Sequence, residues 1–272
     1  MSGTASEEFR RWMVLFRLEW RHLVRSRRLA AGAVVFALLS LGVVFGTAAI
    51  GGRLVWRDFS IVSVGLASLT LYVMPLIAVT TAFDAFAAEA EQGTLLLMLS
   101  YPMRRTTWGL AKLAAQAAAL AVAWLPAMAV LAAVWLFTDQ PWRGTEVLTG
   151  LMRLFVLGWA YGTAFAVIGV WGSLAAKSRG AALAGLLFFW FAAVFLWDLA
   201  LLTATVASDG ALPRWVLALL MTLNVSDAFR LLTLPAGPGD LSVPPVAAVA
   251  AIGGWIAAGT ALALNRLRRL TI

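Results

Sequence analysis

Six apolar stretches, each long enough to cross a bilayer as a helix, constrain this chain more than any other feature. They fall at about 29–50, 59–83, 110–137, 148–176, 181–207 and 246–264. Roughly 20 apolar residues rise about 30 Å as a helix, the thickness of the hydrocarbon layer. A water-soluble fold could not bury so much. The chain is 62% hydrophobic and 12% charged, whereas a soluble domain is about a quarter charged. The expected fold class is an all-α membrane protein with six transmembrane helices.

The segment 214–234 fits that scheme poorly. Its apolar run, 215–223, is followed by Asn224, Asp227 and Arg230. Nine residues rise only about 14 Å as a helix, so an interfacial or re-entrant piece is expected. A seventh crossing would also part the basic C-terminal "NRLRRLTI" from the basic N-terminus. With six crossings, one face holds Arg10, Arg11, Arg17, Arg21, Arg25, Arg27, Arg28, Arg104, Arg105, Lys112, Lys177, Arg179, Arg266, Arg268 and Arg269. The other holds Arg53, Arg57, Arg143, Arg153, Arg214 and Arg230. That imbalance places the first face, with both termini, in the cytoplasm. The net charge of +8 then needs no nucleic-acid partner. Trp56, Trp108, Trp135, Trp142, Trp197 and Trp215 fall near the expected interfaces and read as an aromatic belt.

Residues 1–28 form a basic amphipathic segment. Phe9, Trp12, Met13, Phe16, Trp20, Leu23 and Val24 recur at helical spacing, with Arg10, Arg17, Arg21, Arg25 and Arg28 opposite. Such a helix lies in the membrane surface. It is either an anchor or a lever that moves with the first span. The apolar stretch behind it exceeds the 7–15 residues or so of a signal-peptide core, so a retained span is expected. Gly42/Gly46 and Gly158/Gly162 permit close helix contact, expected first within the chain.

The composition excludes several functions. With no cysteine and a single histidine, His22, there is no thiolate site and no Ser–His pair inside a span. The charged residues of the spans, Asp84, Lys112, Arg153 and Asp198, sit near span ends, which argues against an ion-coupled carrier. The methionines, Met1, Met13, Met74, Met98, Met103, Met128, Met152 and Met221, form no spaced ladder for copper. No metal site, no resident cofactor and no catalytic residue is expected. The chain also lacks a phosphate-binding Gly-x-x-x-x-Gly-Lys-Ser/Thr loop, so any energy must come from another chain.

One segment between spans two and three suits that entry point. In "FDAFAAEAEQGTLLLMLSYPMRR", residues 83–105, Asp84, Glu89 and Glu91 precede Gly93 and Thr94. Leu95, Leu96, Met98 and Leu99 can line one face of a short helix for a groove on another protein. Tyr101 and Pro102 close it. Arg104 and Arg105 follow, suited to lipid phosphates or to acids of a partner; alone they would read as snorkelling arginines of an interfacial turn. Lys177, Ser178 and Arg179 form a shorter link on the same face. Asn224, Asp227 and Arg230 are a candidate docking surface on the other, or else a capped interfacial helix.

With these features in place, the chain resembles the ABC-2 family of ABC-transporter permeases, over nearly its whole length. The family pattern of an acid, Gly-Thr-Leu, a leucine-rich turn, Pro and a basic residue is met by Glu91, Gly93, Thr94, Leu95, Pro102, Arg104 and Arg105. Its Gly-Lys at the next span is displaced to Gly109 and Lys112. The resemblance implies the ABC-2 (type V exporter-like) architecture. That comprises an in-plane elbow helix (1–28), a six-helix transmembrane domain (29–264) with a coupling segment (84–109) and an outer interfacial segment (208–245), and a basic tail (265–272). It also implies a homodimer on a dimer of separate ATPase subunits, which bind ATP and Mg, in a bacterial inner membrane.

Segments 74–105, "FLWDLALL" and "LNVSDAFRLL" are similar to a branch of the family that serves assembly of the copper centres of nitrous oxide reductase. For that branch the implied outer partner is a periplasmic copper-binding protein. The alternatives are an ABC-2 exporter of a lipid, peptide or drug, and a membrane scaffold that transports nothing. Whether copper, a sulfur species or nothing crosses is open at this stage.

Overall fold

The computed structural model describes residues 2–49, 58–101, 104–137, 142–234 and 243–270. Every regular element among them is helical. The N-terminal α1 (Ser2–Val24) ends at Arg25, and Ser26 caps the first long helix by accepting from the Leu29 N–H. The elements that follow are α2 (Arg27–Ala48), α3 (Phe59–Ala82), the short α4 (Ala87–Glu91) and α5 (Thr94–Ser100), α6 (Arg105–Phe137) and α7 (Gly144–Ala175). Then come α8 (Arg179–Phe191), a π-helical turn (Ala192–Leu196), α9 (Trp197–Ala207), α10 (Arg214–Leu223), α11 (Val225–Thr233) and α12 (Pro245–Arg268). Six of these units are long and apolar enough to cross a membrane: α2, α3, α6, α7, the α8–α9 unit and α12. They match the six stretches read from the sequence.

Long-range contacts fix which ends lie together. Arg105, at the start of α6, donates to the carbonyls of Leu267 and Arg268 at the end of α12. Arg104 pairs with Glu8 of α1 at 2.9 Å. Both termini and the α4–α5 link therefore share one end of the bundle. Helix α9 runs to the far end and α12 starts there, so α10 and α11 leave and re-enter on the same side. They meet at Asn224 with a bend of 106°, the geometry of the expected re-entrant piece. Arg153 of α7 donates to the Leu232 carbonyl near the end of α11.

Helix α7 is the most enclosed, packing on α3, α6 and α12. Its small residues allow this. A Cβ on Gly158 would come within 2.9 Å of the Trp124 indole, and one on Gly162 within 2.8 Å of Met74. The Gly42/Gly46 pair behaves otherwise. Among the described residues nothing lies within 4 Å of either added Cβ, so the pair packs against none of the described helices. The belt assignment is also corrected. Trp108 and Trp142 are buried among helices, in edge-on contact with Phe86 and Phe59. Trp215 is well exposed, as a belt residue should be, and Trp56 lies outside the described residues.

Candidate functional site

The chain turns between α3 and α6 through α4 and α5, and this corner is held from five sides. At its start the hydroxyl of Ser173, buried in α7, accepts from both the Phe86 and Ala87 N–H groups at 2.9 Å. Asp84 pairs with Arg28 of α2 at 2.6 Å, and Arg28 also donates to the Thr80 carbonyl. Glu89 meets Lys112 of α6 at 2.8 Å, and the same ammonium meets Glu19 of α1 at 2.7 Å and the Ala85 carbonyl at 2.9 Å. Glu91 takes Arg179 of α8, accepting from its backbone N–H at 2.7 Å and pairing with its guanidinium at 3.1 Å. The corner thus touches α2, α6, α7 and α8 through specific polar contacts and reaches α1 through Lys112.

Lys112 is the hub. Only 3% of it is exposed, and its ammonium also lies over the Phe86 and Trp108 rings at 4.9 and 5.6 Å. An ammonium so buried is tolerable because two carboxylates and a carbonyl replace its water. Removing it would leave Glu19 and Glu89 facing each other without a counter-charge.

Gly93 carries the turn between α4 and α5. Its φ of +71° lies in the left-handed region, which a side chain strains and glycine does not. The Thr94 hydroxyl donates back to the Glu89 carbonyl. Helix α5 then divides its apolar residues. Leu95, Met98 and Leu99 pack against the chain's own core, so they do not form a free face for a partner's groove. Leu97 and Tyr101 point away, 64% and 63% exposed. They stand four residues apart, on one side of the turn. Pro102 and the side chain of Leu96 lie outside the described residues.

The basic residues that follow have partners within the chain, although the Arg104 side chain stays 74% exposed. Arg104 holds Glu8 and Arg105 holds the end of α12. Of the second link, Ser178 caps α8, Arg179 turns to the corner and Lys177 is exposed.

At the far end the proposed docking residues are internal. Asn224 is buried; its carbonyl caps α11 by accepting from the Ser226 N–H, and its amide donates to the Ala193 carbonyl at 2.8 Å. That carbonyl belongs to the π turn, where a wider helical ring leaves backbone groups in need of partners. Asp227 is 1% exposed and pairs with Arg230 at 3.1 Å, while Arg230 forks onto Asp198 of α9 at 2.6 Å. Tyr161 donates from α7 toward the Leu71 carbonyl and shares a hydrogen bond with Ser226. These groups fasten the re-entrant helices to α7 and α9, and Asn224 and Asp227 present no surface to a docking protein. Among the described residues no group of His, Cys, Asp and Glu could hold a metal ion.

A polytopic helical bundle with a folded turn between its second and third spans, pinned to the spans and bare on its outer side, defines a multi-pass membrane protein. The chain belongs to the ABC-2 family: the family description "ABC-2 family transporter protein" matches residues 13–270. It is 35% identical over 266 residues to a probable ABC transporter permease protein NosY of Pseudomonas aeruginosa, covering 92% of this chain and 94% of that one. It is 33% identical over 263 residues to the NosY protein of Stutzerimonas stutzeri, covering 90% and 94%.

Sequence reasoning missed Ser173, Glu19 and Gln116, which donates to the Thr81 carbonyl beside the corner. Glu19 carried a weak signal: an acid set in an otherwise basic amphipathic helix.

Proposed function

We propose that this chain is the membrane subunit of a NosY-type ABC complex for copper-centre assembly of nitrous oxide reductase in denitrification. A separate NosF-like ATPase binds and hydrolyses ATP with Mg, and docks on the exposed side of α5. The α4–α5 corner transmits its movement to the spans. A homodimer in the bacterial inner membrane, both termini cytoplasmic, presents its far end to a NosD-like periplasmic copper-binding protein.

One observation carries this reading. The corner bears ion pairs to α2, α6 and α8, reaches α1 through Lys112, and has a hydroxyl anchor from α7, while Leu97 and Tyr101 face away from the chain. Such fastening suits a turn that transmits force, and two exposed apolar residues on its outer side suit a protein partner. The open Gly42/Gly46 pair supports a homodimer. Burial of Asn224 and Asp227 moves the periplasmic contact to other parts of the far end.

The test is purification of the tagged chain from cells expressing its genomic neighbours. Recovery of an ATPase and a periplasmic copper protein together supports the reading. An ATPase without the copper protein favours an exporter, and recovery of neither favours a scaffold and refutes coupling.

A further inference from the structure

Two cavities meet at the break between α1 and α2. The outer one, about 440 Å³, is lined by Arg21, His22, Arg25, Ser26, Arg27 and Arg28. The inner one, about 370 Å³, lies between α1, the end of α3, α4 and α6. They share His22, Ser26 and Arg28, so they are neighbouring compartments at one junction. Both have the size of ordinary small-ligand sites, about 300–1,000 Å³.

Their chemistry differs. In the outer cavity Arg21, Arg25 and Arg27 take part in none of the ion pairs among the described residues. Three such guanidinium groups beside the first turn of α2 suit a phosphate. In the inner cavity the carboxylates of Glu19, Asp84 and Glu89 outnumber the cations Arg28 and Lys112. Two buried acceptors there, Glu89 Oε2 and Gln116 Oε1, receive no hydrogen bond. Gln116 is 4% exposed. Its amide nitrogen is bound to the Thr81 carbonyl at 3.0 Å, which fixes its oxygen as the end left unpaired. Buried acceptors without a donor are costly. What would satisfy them is a hydrogen-bond donor, and beside three carboxylates a positively charged N–H group is favoured.

A phosphate joined by a short tether to an ammonium matches the pair of compartments. The bilayer supplies that group at this level, because α2 begins its crossing here and α1 is the membrane-surface helix. We propose that the double cavity is a binding site for the headgroup of phosphatidylethanolamine, with its phosphate among the arginines and its ammonium on Glu89 and Gln116. The site requires no ATPase, although its inner compartment shares Asp84, Glu89 and Lys112 with the corner.

The full-length chain in detergent is offered phosphatidylethanolamine, phosphatidylcholine or phosphatidylglycerol of identical acyl chains, and binding is read by native mass spectrometry. Phosphatidylcholine has the same phosphate but no N–H donor. Phosphatidylethanolamine should bind about tenfold more tightly, the worth of a charge-assisted hydrogen bond. Arg25→Ala with Arg27→Ala should weaken both lipids, and Gln116→Leu should remove the preference while leaving choline lipid binding in place. Equal binding of the ethanolamine and choline lipids would overturn the proposal, as would no effect of the arginine pair. Binding of phosphatidylglycerol as tight as that of phosphatidylethanolamine would overturn the ammonium assignment. If Gln116→Leu does not fold, the lipid comparison on the unaltered chain still decides.

Discussion

Lys112 concentrates more of the structure on one side chain than any other residue of the corner. Its ammonium joins α6 to Glu19 of α1 and to Glu89 of α4. Lys112→Met should destabilise the chain by about 3–5 kcal/mol, because it leaves two partly buried carboxylates uncompensated. The measurement is the melting temperature of the detergent-solubilised protein. Replacing the whole set, Lys112→Met with Glu19→Gln and Glu89→Gln, should recover most of the loss, since neutral groups need no counter-charge. Gly93 gives a second prediction at this scale. Gly93→Val places a β-branched side chain at a φ of +71°, a strain of order 1–3 kcal/mol. The chain should still insert, while ATP hydrolysis in the assembled complex becomes uncoupled; unchanged, coupled hydrolysis would count against the turn's role. Gly93 was legible in the sequence because glycine before a short apolar run has few other uses. The Lys112 partnerships were not. Glu89 and Lys112 stand 23 residues apart, and only the packing of α1 and α4 onto α6 brings three charges together.

At the scale of elements, α5 separates two roles that its leucines conceal. Leu97→Glu should leave the melting temperature unchanged and abolish copurification of the ATPase, because Leu97 is exposed on the outer side of α5, where the proposed contact lies. Leu95→Glu should lower the melting temperature, because Leu95 packs on the core. The same outcome for both would dissolve the distinction. The sequence gives the period of this helix but not its rotation, and so both residues looked alike. A similar inversion holds for α10 and α11. Asn224, Asp227 and Arg230 stood out as polar residues in an apolar segment and suggested a surface. The re-entrant bend carries them inward instead, against the π turn, α9 and α7. The packing of the elbow helix was not legible in its pattern. Leu23 of α1 is buried with Leu29 against Ala115, Ala119 and Ala123 of α6, and Phe16 and Trp20 pack beside them. It rests on a span and is tied through Lys112 to the corner.

For the whole molecule, the six crossings were readable because apolar length leaves a membrane helix little freedom. Assembly was less so: the two glycine pairs look alike in sequence and differ in surroundings. Gly158→Leu or Gly162→Leu should unfold the bundle by clashing with Trp124 or Met74, whereas Gly42→Leu with Gly46→Leu should fold and lower only the dimer fraction in cross-linking. The central claim is that α5, the corner and the elbow move as one unit when an ATPase acts on them. The chain contains no cysteine, so spin labels can be placed without background. Labels at Arg17→Cys on α1 and Ser100→Cys on α5, read by pulsed electron spin resonance in the assembled complex, test the claim most directly. The distance between them should stay constant on addition of ATP, while the distance from Ser100→Cys to a label at Asp209→Cys at the far end changes. A change between α1 and α5 with Lys112, Glu19 and Glu89 intact would contradict the account.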